Sequence, residues 1–227
     1  MKFTWMKWSA LPVAVLMAGS VAMAQDQSSS GSQQPAPAPA ATPAPAPAEK
    51  PKPTIAQRKE NQQDRIANGV QSGQLTAGET ANLEKKEAAI NKETAADRAA
   101  NDGKLTGTEK QQINGQQNQV SKQIYADKHN AKTQHYANNK VDRRRENQQD
   151  RIAQGVKSGQ LTPGETAKLE NQQKGINKQV AADRKANGGT LTASEKKQVN
   201  KEQNGASKNI YHKKHNAKTQ PQAQPKQ

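Results

Sequence analysis

Apolar residues are sparse along this chain and fall at helical intervals. Leu83 and Ile90 lie seven apart, and Ile113, Val120 and Ile124 are spaced by seven and four, so each set marks one narrow helical stripe. A recurring phrase interrupts these stripes. It reads Gly-x-Leu-Thr-x-x-Glu and occurs at Gly73 to Glu79, Gly103 to Glu109, Gly159 to Glu165 and Gly189 to Glu195. Its glycine can take the left-handed conformation that ends one helix, and its Thr-x-x-Glu is a capping box that opens the next. In the third instance Pro163 follows Thr162, at the first helical position, where a missing N–H costs least. Each phrase is therefore a helix-to-helix junction, which predicts helices from Ile55 to Gln71, Ala77 to Ala100 and Gly107 to Lys128.

The same three helices are expected again further on. Arg58 to Gln134 realigns without gaps on Arg144 to Gln220 at an offset of 86, with 51 of 77 positions identical. A match of this extent makes each copy the structural unit. The fold class is all-α, with two tandem three-helix repeats, read as residues 54–136 and 137–219. Each copy has few large apolar residues. In the first they are Ile66, Val70, Leu75, Leu83, Ile90, Leu105, Ile113, Val120, Ile124 and Tyr125. Such a thin core leaves one isolated copy only marginally folded, so contact between the copies is expected to contribute.

The ends of the chain have a different character. Lys2 and Lys7 precede an apolar run from Ala10 to Met17 and small residues ending Ala22-Met23-Ala24, the pattern of a secretory signal peptide over 1–24. The apolar run is too short to span a bilayer, so after cleavage the protein is not expected to be transmembrane, and a periplasmic or secreted location follows. Residues 25–53, rich in Ser and Gln and then alternating Pro with Ala, read as a disordered linker, and 220–227 as a short disordered tail. The chain has no cysteine, so neither disulfides nor a lipid-modified cysteine is available.

The junctions are the first candidates for chemistry. The Gly-x-Leu-Thr-x-x-Glu phrase resembles the second half of an EF-hand calcium loop, in which a glutamate follows the glycine by six places. That resemblance would make Glu79, Glu109, Glu165 and Glu195 metal ligands in degenerate loops. The first loop position, however, falls on Asn68, Arg98, Gln154 and Arg184, where calcium needs a carboxylate. The capping role is the preferred reading, and a calcium-responsive protein is the alternative. His129, His135, His212 and His215 have no cysteine or carboxylate cluster to complete a transition-metal site. No nucleophile with a base, paired catalytic acids or phosphate-binding glycine loop is present, so neither an enzyme nor a cofactor is expected. As a whole the chain resembles small exported repeat proteins of bacteria, which carry no activity over to it.

Charge distinguishes the copies. The first (58–134) has 12 basic and 10 acidic residues, net +2, and the second (144–220) has 16 and 7, net +9. The excess arises at Lys157, Lys168, Lys174, Lys185, Lys197, Lys201 and Lys213, where the first copy is neutral or acidic, and Arg143, Arg144 and Arg145 stand where the second copy begins. These ten residues are the candidate polyanion-binding set. The partners compatible with them are an anionic envelope polymer, a membrane surface, an acidic protein or extracellular nucleic acid. Sequence-specific nucleic-acid binding is disfavoured, because Trp5, Trp8 and Phe3 all lie in the signal peptide and the remaining aromatics are Tyr125, Tyr136 and Tyr211.

Overall fold

Five helix starts are closed by reciprocal side-chain hydrogen bonds, and these caps fix the element order. In the computed structural model, which describes residues 52–220, the helices are α1 (Ile55–Gln71), α2 (Ala77–Ala100), α3 (Gly107–Lys128), α4 (Lys140–Lys157), α5 (Pro163–Ala186) and α6 (Ala193–Lys214). No strand occurs among the described residues, and no described helix is long and apolar enough to cross a membrane. The stretches read as a signal peptide (1–24), most of the one read as a linker (25–53) and the residues beyond Gln220 read as a tail lie outside the described residues.

All four junction glycines take the left-handed conformation, with φ of 71° at Gly73, 82° at Gly103, 70° at Gly159 and 95° at Gly189. Thr76, Thr106, Thr162 and Thr192 each accept a hydrogen bond from the backbone of the glutamate three residues on, and that glutamate accepts one in return. Thr54 and Gln57 form a fifth box before α1. Helix α4 departs from the duplication. It starts one residue earlier than the offset predicts, because Lys140 stands at the position of Thr54 and the cap passes to Asn139, whose side chain accepts from Asp142 N.

The two copies pack into one compact unit. The most extensive helix contacts join α2 to α5 and α1 to α4, so each of these helices meets its own counterpart. Helices α3 and α6 pack only within their own copies and do not touch each other. The contact between copies is reciprocal: Gly78 meets Lys174, and the equivalent residues Gly164 and Ala88 border one groove. This is the self-complementary arrangement of an isologous dimer, built here inside one chain. One apolar cluster runs through both copies, including Ile66, Leu83, Ile113 and Ile124 from the first and Ile152, Leu161, Leu169 and Ile210 from the second. A smaller one, with Val141, Ile176, Val180, Leu191, Val199 and Ala206, belongs to the second copy.

Amide side chains complete the thin core. Gln62 is buried and donates to Gln117 O (2.6 Å) and Ser121 Oγ (3.0 Å), while Gln117 donates to Ile55 O (2.9 Å). The second copy repeats this through Gln148, Gln203, Ser207 and Val141 O. These bonds pin α1 to α3 and α4 to α6 where larger apolar side chains would otherwise be needed. Each also satisfies a donor whose burial unpaired would be costly.

Candidate functional site

The buried face of α6 is set by Val199, Gln203, Ala206 and Ile210. At 100° per residue, Lys197, Lys201 and Lys208 point directly away from it, forming a stripe about 16 Å long on the outward side. All three are exposed. The stripe runs on to an exposed ring cluster in which Tyr211 stacks on His215 at 4.2 Å and meets His212 edge-on at 5.9 Å. Helix α3 has the same frame but carries Gln111 and Gly115 in place of the first two lysines, with Lys122 alone retained.

Asp142 gathers two ion pairs, meeting Arg145 at 3.1 Å and Arg184 at 2.9 Å, and none of the outward lysines of α6, nor Lys168 or Lys185, takes part in an ion pair among the described residues. Lys168, Lys185, Lys197, Lys201 and Lys208 therefore keep their charge unopposed by a carboxylate at ion-pair distance. Unpaired surface cations of one sign attract counter-ions and anionic polymers together, and they lose that attraction as salt screens them.

The ten cations singled out from sequence separate into groups. Arg143, Lys157, Lys168, Lys185, Lys197 and Lys201 are exposed. Arg144 is half-buried and committed to Asn200 Oδ1 (3.1 Å) and Asn204 Oδ1 (2.6 Å) beside the stripe. Lys174 is half-buried across Gly78, and Lys213 is half-buried with its charge felt by Glu165. Arg145 lies in the interior, 5 % exposed, paired with Asp142 and placed over the Tyr136 ring at 5.2 Å, so its charge is used within the fold. Lys208 escaped the comparison of copies because its counterpart, Lys122, is also a lysine.

Asp142 is itself fully buried. Burial works against its charged form, yet hydrogen bonds from Arg184 and Asn139 and the adjacent Arg145 outweigh this and hold its carboxyl below the usual range. Asp142→Ala leaves Arg145 buried without its counter-charge. We expect it to lower the unfolding free energy by about 3 kcal/mol, measured from the urea midpoint.

The junction glutamates are engaged as caps. Besides its threonine, Glu79 accepts from Asn130 Nδ2 (2.8 Å), Glu165 from Asn216 Nδ2 (2.6 Å), Glu109 from Asn101 Nδ2 (2.8 Å) and Glu195 from Asn187 Nδ2 (2.8 Å). Among the described residues no three acidic, histidine or cysteine side chains gather as a metal site. Asn130 and Asn216, just past the third helix of each copy, thereby tie the end of that helix to the start of the second.

A second group of ionisable residues was not legible as such. Glu84, Glu87 and Glu170 are fully buried near the crossing of α2 and α5. Gln63 donates to Glu84 (3.2 Å) and Gln149 to Glu170 (3.0 Å), whereas neither oxygen of Glu87 has a hydrogen-bond partner. Burial pushes the Glu84 carboxyl well up, Glu87 up to about 7 and Glu170 up to about 8. Lys59 opposes the first two shifts, and Glu84 and Glu170 face one another across the junction of the copies. Comparison with protein-family models, curated proteins and solved structures finds no match to this chain.

Proposed function

We propose that the chain is an exported, non-enzymatic binding module whose second repeat holds an anionic envelope polymer along α6. The observation that carries this reading is the stripe of Lys197, Lys201 and Lys208, exposed, without acidic partners and opposite the helix's buried face. A linear array on a straight rod suits a linear polyanion better than a compact acidic protein. The Tyr211 ring cluster at one end offers an apolar surface to a sugar or polyol backbone. Export rests on the signal-peptide pattern of residues 1–24, and the Pro/Ala-rich stretch after it would act as an extended spacer.

The experiment is elution from an immobilised polyanion such as polyphosphate or a teichoic-acid preparation. Lys197→Gln, Lys201→Gln, Lys208→Gln combined should elute at clearly lower salt than the parent, with a shallower dependence of log affinity on log salt, since each lost contact releases fewer counter-ions. The equivalent change at Lys122 in α3 should leave elution almost unmoved. Equal elution of parent and triple variant would sink the proposal. A loss shared equally with the Lys122 variant would reduce the interaction to net charge.

A further inference from the structure

A groove of about 460 Å³ opens in the first repeat between the start of α1, the middle of α2 and the start of α5. That is a small-molecule volume. Ile55, Ile90, Ala95 and Pro163 supply apolar walls, and Lys59 and Arg98 bring two cations to it. The guanidinium of Arg98 has no side-chain hydrogen bond or ion pair among the described residues.

The second repeat shows how the equivalent space is filled. Five positions there correspond to groove residues at the 86-residue offset: Asp142 to Ala56, Arg145 to Lys59, Lys174 to Ala88, Val180 to Thr94 and Arg184 to Arg98. The Asp142 carboxylate sits between the two arginines, at 3.1 Å and 2.9 Å, and accepts further bonds from Asn139 Nδ2 (2.7 Å) and Ala137 N (3.2 Å). The Lys174 side chain runs across Gly78, at 3.4 Å from where a β-carbon would stand, whereas the equivalent Gly164 faces nothing within 4 Å. One repeat thus holds a carboxylate between two cations. The other keeps both cations but has Ala56 at the position of that acid and Ala88 at the position of Lys174, so the space between them stays open, while Lys59 feels the buried Glu87 and Glu84 from its inner side.

We infer that the groove of the first repeat binds a carboxylate carried on an apolar chain, the carboxylate lying between Lys59 and Arg98 as Asp142 lies between Arg145 and Arg184. A charge-assisted bond to Arg98 sets the head group, and the apolar walls take the chain. The site is separate from α6. It depends on the internal asymmetry of the duplication, not on the net charge of the second repeat.

The test is calorimetric titration of the full chain with octanoate and, separately, octanamide, which has the same chain without the charge. Octanoate should bind with saturation and octanamide at least about tenfold more weakly, the scale of one charge-assisted bond. Arg98→Gln should weaken octanoate by a similar factor. Ala56→Asp, which supplies the missing acid from within the chain, should abolish octanoate binding while preserving or raising the melting temperature, so that loss of binding is not loss of fold. The α6 triple variant should bind octanoate like the parent, which separates this site from the polyanion stripe. Failure of octanoate to bind, equal binding of acid and amide, or undiminished binding by Ala56→Asp would each overturn the inference.

Discussion

Separated into residues 52–138 and 139–220, the two repeats should each lose the sharp thermal transition of the intact chain. The large apolar cluster is continuous across the copies, and Ile152, Leu161, Leu169 and Ile210 are as much a part of it as Ile66 and Leu83. Cutting the chain exposes the faces of α1 and α2 that meet α4 and α5, and small helical units have little burial to spare. The expected result at micromolar concentration is a broad, weakly cooperative melt by circular dichroism for either fragment, with the sharp transition regained when the two are mixed. Because the contact is self-complementary, raising the concentration of one fragment should also sharpen its melt as like copies pair. A sharp, concentration-independent melt of residues 52–138 would show that the shared core is dispensable.

Stability should also fall as the solution becomes alkaline, in a window set by the buried acids. Glu87 is raised to about 7 and Glu170 to about 8, and Glu84 is raised well above the usual carboxylate range. Between the ordinary carboxylate range and these values the folded chain holds protons that the unfolded chain has released, so unfolding becomes easier as pH rises. The loss begins near pH 4.5 and is complete only above about pH 8, and shifts of this size amount to several kcal/mol. Lys59 from α1 moderates it for Glu84 and Glu87, and Gln63 and Gln149 stabilise the charged forms of Glu84 and Glu170. Replacing all three glutamates by glutamine should flatten the profile and raise the melting temperature at pH 8 by on the order of 10 °C. The measurement is a series of melts from pH 5 to 9. A profile that rises with pH, or one the triple variant leaves unchanged, would refute the role given to these acids.

Helix ends were the most legible part of the fold. Glycine, threonine and glutamate at fixed spacing have few structural alternatives, and the helices of the first copy run between the residues that this spacing marks. The interior was less so. Gln62, Gln63 and Gln117 are interior residues that composition does not single out, since an amide is buried only when a specific partner awaits it. Lys197 and Lys201 stand out where the copies differ in charge, and the run Arg143 to Arg145 brings Arg145 into the same set, because residue type alone does not tell a solvated cation from one paired with Asp142. The groove was hidden for another reason. Ala56 and Asp142 lie just outside the stretch where the copies align most clearly, and their difference gains meaning only once α1 and α4 are seen to be counterparts.

The near-symmetry of the packing contrasts with the distribution of charge over it. A true pair of identical subunits must repeat every substitution on both halves, whereas a fused pair can alter one half alone. Here one half carries +2 and the other +9 on the same helical frame. The molecule is therefore an electric dipole mounted on a two-fold scaffold, and an anionic surface exerts a torque on it as well as an attraction. It would come to rest with the second repeat inward and the groove-bearing first repeat turned toward the medium.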